Sequence, residues 1–585
     1  MTNPLKFDVY LQDPLVAREH PLFGFDEIEI PAEPVIFDGP TSARFAVVDY
    51  NAATGVLNEP AKWDAKRGKF KKGGRILDRH FRKKDELQFH QVQVWASLQR
   101  ALLFFEEGEG LGRKIPWAFE GNRLIVVPHA GYGQNAYYDR ASKSLQFYYY
   151  NDPNTAGKLI YTCLSADIIH HEFGHAVLDG IRPQFMESHS LETAAFHEFV
   201  GDMTALLLVL RNNDFRKKIA EKFGDELSEV RILSGIADEF GRTVKNQAYL
   251  RNADNNVKMG DVQTAEPHAK SVVLTGAIFK IMEALSKQYV KRRMKEGESG
   301  SARKRHAKTA FWNTIQRMQR MAIQPLDFLP SIDATFKDYA LAMIRVEEIT
   351  NPHDPYGYRK IIIDEFVKRG VLTEAEKEEL LKPDYLYDRN EVPFESYFSA
   401  YYICQSKENA YQFINENREP LGIPQNRDVV ILGTYQAQKT TRQGRRLPRH
   451  FFLQYQWMEE VRLEDGSYAE MNGAVVAFPC GGTLVFDNEN NLLHWANKPG
   501  TEFKNDADLL QQGTERLRNF MDNIRNMIDN NQLGLSEGGA GHLFASTIKP
   551  IVVENKNGLL HFRRTPHLNI SDSHQKDKSS WDVSF

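Results

Sequence analysis

The stretch DIIHHEFGHAVLDG, residues 167–180, sets His171 and His175 four positions apart, with Glu172 directly after the first of them. On an α-helix, residues four apart share one face with Cβ atoms about 5–6 Å apart, so both imidazoles can reach one ion at Zn–N distances of about 2.0–2.1 Å. Glu172 is turned by about 100° from His171, which puts its carboxylate beside the ion as a proton acceptor and not as a ligand. With 18 histidines in 585 residues, chance alone writes an HExxH in roughly one such chain in twenty-five. The neighbours must therefore decide. Ile168, Ile169, Phe173, Ala176 and Val177 make the other faces apolar, so the helix is buried, and buried imidazoles need partners that a metal can supply.

Working outward, ETAAFHEFVGDMTALLLVL (192–210) carries Glu198 and Asp202 four apart on an otherwise almost wholly apolar helix. Two carboxylates in such a place require cations. A catalytic zinc takes three protein ligands and keeps its fourth position for water. Glu198 therefore reads as the third ligand, and Asp202 as the acceptor for the outer nitrogen of a ligating histidine.

His171-Glu172-Phe173-Gly174-His175 followed by Glu198 and Asp202 resembles the gluzincin zinc metallopeptidases, and the flanking segments are similar to the thermolysin-like branch. The resemblance covers residues 86–375. It implies a zincin-type two-lobe fold, with a strand-rich N-terminal lobe, a helical C-terminal lobe and the HExxH helix on the floor of the cleft. By the same resemblance, NAYYDRASKSLQFYYY (135–150) is the edge strand along the substrate, making Asn135 and Ala136 substrate contacts. A strand edge offers the unpaired N–H and C=O groups that an extended peptide needs. EPHAKSVVLTGAIFKIMEAL (266–285) is similar to the segment with the family's transition-state histidine, which assigns His268 to the oxyanion. YLRNADN (249–255) likewise makes Arg251 a substrate contact. The chain departs from the pattern in having 22 residues between His175 and Glu198, with no match for the family's tyrosine there. Locally, HHEFGH with FHEFVGD also resembles the peptidyl-dipeptidase gluzincins, which stay an alternative. Calcium occurs in secreted members; Asp167 matches one of its ligands, but it equally suits the first turn of its own helix, and the other acidic ligands are not evident.

The resulting expectation is an α+β chain: a β-rich segment with a basic connector over 1–85, the metallopeptidase domain over 86–382, an extra C-terminal α+β domain over 383–564 and a flexible tail over 565–585. The basic run KWDAKRGKFKKGGRILDRHFRKK (62–84) reads as a solvated, mobile connector. Helical periodicity marks 86–106, 165–180, 190–210, 271–290 and 305–322, and two more helices break at Gly370-Val371-Leu372. Beyond Pro383, DVVILGTYQAQ, RHFFLQYQW, GAVVAFPCGGTLVFD and LLHWAN read as strands, followed by a helix over 505–530.

A net charge of −4 gives no whole-protein attraction to nucleic acid or to anionic membranes. The longest greasy run, ALLLVL at 205–210, is far short of the ~20 apolar residues that span a bilayer. No secretory signal is visible, so the chain reads as cytoplasmic, with export by a route lacking such a signal left open. Cys163, Cys404 and Cys480 form no CxxC pair, and Cys163 reads as a small buried apolar residue. No phosphate-binding GxxxxGK[ST] occurs. The expected reaction is hydrolysis of peptide bonds in a peptide or protein substrate, with one zinc and Glu172 as general base. The alternative from another class is a non-enzymatic zinc-containing binding protein, in which the C-terminal domain holds a partner the sequence does not identify.

Overall fold

The computed structural model describes residues 4–77, 86–382 and 392–564, apart from short interruptions at 189, 246, 249, 264–265, 297, 299, 395–397, 441–443, 469–470 and 536–550. The expected tail over 565–585 lies outside the described residues. The architecture is mixed α+β.

The N-terminal strands β1 (Leu5–Tyr10) and β2 (Phe25–Ile30) pair antiparallel. Residues 62–76 are not a mobile connector: they form an antiparallel three-strand meander over Lys62–Asp64, Lys69–Lys72 and Arg75–Ile76. The physical reason sits between the cations. Phe70 is fully buried against Phe7 and Trp95, and Trp63 packs on Phe70 at a tilt, so the lysines are the wet face of an anchored hairpin.

A four-stranded sheet follows, from β3 (Phe45–Val47), β4 (Leu124–Val127), β5 (Ala136–Asp139) and β6 (Ser144–Phe147), in the order β5-β6-β4-β3. The hairpin β5–β6 is antiparallel and the other two pairings are parallel. β5 is thereby left at the edge. Helix α1 (Leu87–Glu106) runs beneath this region with nearly every residue buried.

The chain then turns helical, with α2 (Ala166–Ile181), α3 (Leu191–Val209), α4 (Pro267–Arg293), α5 (Gly300–Ile323), α6 (Phe336–Thr350) and α7 (Tyr358–Lys368). A single core takes residues from Phe7 to Leu380, together with Ala437, Phe452 and Val485 of the C-terminal sheet, so the N-terminal strands share their core with the helices. Among the described residues no single helix is long and apolar enough to cross a membrane. The greasy run of α3 is instead buried on all sides, at 3 % exposure or less from Ala205 to Leu210.

The C-terminal region has its own core. Strands β7 (Val430–Ala437), β8 (His450–Arg462), β9 (Val475–Phe486), β10 (Leu492–Lys498), β11 (Leu533–Leu535), β12 (Ile551–Lys556) and β13 (Leu559–Arg564) form one sheet, covered by helix α8 (Ala507–Asp529) through Phe520, Ile524 and Met527. Long strands rich in Phe, Tyr and Val fit a pleated, half-buried surface. Polar anchors fasten this sheet to the helices. The fully buried Arg182, just past the end of α2, donates to Leu329 O, Pro330 O and the Tyr435 hydroxyl, and Lys498 pairs with Asp338 at 2.6 Å.

Candidate metal centre

Helix α2 presents His171, Glu172 and His175; the facing α3 presents Glu198 and Asp202. The two helices meet where both carry glycine. A Cβ on Gly174 would lie 2.8 Å from Gly201 Cα, so only glycines let the backbones come this close. Side chains on the two helices therefore converge at short range. The His175 and His171 Nε2 atoms are 3.2 Å apart; Glu198 Oε2 lies 3.3 Å from the His171 Nε2, and Glu198 Oε1 lies 3.6 Å from the His175 Nε2.

These three side chains form one of two groups among the described residues whose donor atoms could share a metal ion. Zinc–ligand bonds of about 2.0–2.2 Å imply edges of roughly 3.3–3.6 Å in a tetrahedral site. The observed contacts of 3.2–3.6 Å, made by both Glu198 oxygens, lie close to that range, and the N/O donor set suits zinc. Of the adjacent histidines, His170 points the other way: burial first, and then Arg100, push its pKa down to about 3, so it packs as a neutral ring.

The surrounding charges serve the same three groups. His171 Nδ1 donates to Asp202 Oδ1 at 3.0 Å, which leaves Nε2 as the nitrogen facing inward. Burial and Arg251 work to lower the His171 pKa, but hydrogen bonds to Asp202 and Glu198 outweigh them and hold it at about 9. Burial raises the Asp202 pKa, yet Arg251 and His171 bring it below the ordinary value, so it stays a carboxylate. Glu198 and Asp202 are both fully buried. Anions so placed require cationic partners.

The sequence-predicted substrate residues fall on the same cavity, a space of about 50 Å³ lined by Asn135, Ala136, His171, Glu172, His175, Glu198, Arg251 and His268. Asp202 sits behind it. The backbone N–H of Tyr138, on the open side of β5, donates to Glu172 Oε2 at 3.2 Å, so the strand edge and the glutamate share one wall.

His268 is at the start of α4, where Glu266 caps the helix. Its Nε2 lies 3.0 Å from Glu198 Oε2 and its Nδ1 bonds Glu266, an arrangement in which burial lowers the pKa but the two carboxylates raise it to about 10. His268 is thus brought to the site, against Glu198. Arg251 lines the cavity and is also paired behind it. Its guanidinium is committed to Asp202, with Nε and Nη2 at 2.9 and 2.8 Å from Oδ1, because a buried carboxylate is the strongest partner in reach. Asp167 accepts from Ala237 N at 3.3 Å, and burial, Asp13 and Asp238 keep its carboxyl well above the usual range.

Sequence reasoning missed the supports. Asp179, two turns beyond His171 on α2, accepts from the Tyr138 hydroxyl at 2.8 Å and from Arg140, locking β5 onto α2. Paired glycines on two apolar helices were the available signal for the Gly174–Gly201 contact. A larger cavity of about 1060 Å³ opens around Arg44, Trp117 and Tyr435, but no histidine is among the described residues lining it.

No protein-family model matches the chain, and no curated protein matches it in sequence.

Proposed function

We propose that the chain is a zinc-dependent metallopeptidase of two-lobed zincin architecture that hydrolyses peptide bonds. The observation that carries this reading is the convergence of two imidazoles and one buried carboxylate on a cavity that Glu172 and the open edge of β5 also line. His171, His175 and Glu198 would hold the ion. Bound there, zinc supplies a Lewis acid that polarises a carbonyl and makes water nucleophilic near neutral pH.

The residues of the chain do the rest. Asp202 holds the proton on His171 Nδ1 and so fixes which nitrogen faces the ion. Glu172, outside the ligand set, accepts a proton from water at its carboxylate and passes it to the leaving amine. The edge of β5 receives an extended peptide by backbone hydrogen bonding. His268 and Arg251 supply positive charge at the rim and behind the floor of the cavity, where negative charge builds on the substrate carbonyl.

The test is zinc content together with cleavage of a mixed peptide library, for wild type and Glu172→Gln. The expected result is zinc retained in both proteins and chelator-sensitive cleavage in wild type only. Cleavage that persists in Glu172→Gln overturns the assignment of the base. Zinc without cleavage in wild type favours a non-enzymatic zinc-containing binding protein.

A further inference from the structure

Behind the wall of the cleft, three segments distant in sequence bring together His90 on α1, His129 just after β4, and Cys163 in the 3₁₀ turn Thr162–Leu164 that leads into α2. All three are buried, at 0 %, 1 % and 0 % exposure. Their donor atoms lie within 4.8 Å of one another. His90 Nδ1 is 2.8 Å from His129 Nε2, and Cys163 Sγ is 4.0 Å from the same Nε2.

We propose that His90, His129 and Cys163 form a second metal site, separate from the His171–His175–Glu198 centre, which takes a borderline-soft divalent cation such as zinc. Thiolate and imidazole are the donors such a cation prefers. Zn–N bonds of about 2.0–2.1 Å and Zn–S bonds of about 2.3 Å require ligand edges of roughly 3.3–3.6 Å. The His90–His129 edge must therefore open and the Cys163–His129 edge close, each by about half an ångström, which side-chain rotation provides.

The surroundings prepare these donors. His129 Nδ1 donates to Asp49 Oδ1 at 2.7 Å, so its Nε2 carries the lone pair. Asp49 is itself held by Gln91 at 2.7 Å and Asn58 at 3.0 Å. Charge also balances: one thiolate and the Asp49 carboxylate neutralise a divalent cation inside the core. On binding, the Cys163 thiol proton leaves to solvent, and the His90 proton that Nδ1 donates to His129 Nε2 in the metal-free site moves to Nε2 of the same ring, freeing Nδ1 to ligate. Without a metal, burial first and then the Asp49 carboxylate hold the Cys163 thiol well above its usual pKa; coordination reverses that.

The site would be structural. Thr162, beside Cys163, donates to Asn135 O at 3.2 Å and accepts from Tyr148 N at 3.0 Å, so a cation here pins the approach to β5 from behind.

The experiment is zinc per chain on the full-length protein, with a cobalt-substituted sample read for thiolate-to-cobalt charge transfer in the near ultraviolet. Wild type is expected to bind two zinc ions, His171→Phe/His175→Phe one, and that variant with Cys163→Ser added none. The charge-transfer band is expected in wild type and in the double variant, because the His171–His175–Glu198 centre contains no sulfur. A cobalt protein without a thiolate band overturns the proposal, whatever the zinc count, and this reading needs no substitution to fold. A band with a single zinc that survives in the double variant supports this site and instead removes the metal from the His171–His175–Glu198 centre, so the two readings fail separately.

Discussion

Gly201 stands directly under His171: a Cβ on Gly201 would lie 2.5 Å from His171 Nδ1 and 2.7 Å from its Cε1. The ring can move only at the expense of its bond to Asp202, since the same Nδ1 makes that bond. Gly201→Ala should therefore rotate His171 and lose zinc from the centre, with an overpacking cost of about 1–3 kcal/mol. Zinc content and denaturant unfolding of the variant check this together. Full zinc retention with unchanged stability would show that the helices slide apart freely.

Asp202 and Arg251 form a buried pair whose members should behave very differently alone and together. Asp202→Ala strands the guanidinium behind the cavity and should cost about 3–5 kcal/mol in stability, as breaking buried pairs does. It should also weaken zinc by about 10–100-fold, because His171 loses its orienting carboxylate. Adding Arg251→Met should recover much of the stability but none of the zinc affinity. Unfolding curves and competitive metal titration on the three variants separate the two effects.

Much of the candidate metal centre was legible because helix geometry is local. The spacing of His171, Glu172 and His175 dictates their relative directions, and Glu198 and Asp202 stood out as charges on an apolar helix. The break around Gly370 followed from periodicity, whereas the edge position of β5 was only what the family resemblance implied. What stayed hidden depends on segments meeting across the chain. Arg251 is 49 residues from Asp202, and His90 is 39 residues from His129, so nothing local announces either contact. The meander over residues 62–76 was masked differently: its lysines dominate the composition, while Trp63 and Phe70 carry the packing. Its anchoring depends on Phe7 and Trp95, which no window around residue 70 contains.

Asp179 joins the helix that carries the proposed metal ligands to the strand proposed to receive substrate. Its carboxylate accepts from Tyr138 Oη and Arg140 Nε, at 2.8 and 3.0 Å. Hydrogen bonds to a charged group contribute about 1.5–3 kcal/mol. Asp179→Ala should release β5 from α2 and raise KM by roughly tenfold, which corresponds to about 1.4 kcal/mol. Zinc content should stay unchanged, since Asp179 touches none of His171, His175 or Glu198. Steady-state kinetics on one peptide substrate, paired with metal analysis, tests the split; a fall in zinc would place Asp179 among the supports of the centre itself.

Asp13 predicts an inverted pH dependence of stability. It caps the short helix Pro14–Glu19 by accepting from Leu15 N at 2.9 Å, yet it is buried. Burial first, and then Glu239 and Asp238, raise its pKa to about 7. The unfolded chain holds an ordinary Asp near 3.9. Between these values the folded state binds the extra proton, so the contribution of Asp13 to stability falls as pH rises from about 4 to 7, at up to about 1.4 kcal/mol per pH unit. Above pH 7 the charged, buried carboxylate is a standing cost. Asp13→Asn keeps the cap, since Asn is as good there, and removes the charge. Its unfolding free energy should exceed that of wild type at pH 8 and converge on it as pH falls toward 4. A difference between the two proteins that does not change with pH across this range would show that Asp13 stays ionised in the fold, with Arg18 and Lys158, which pair with Glu239, offsetting its neighbours.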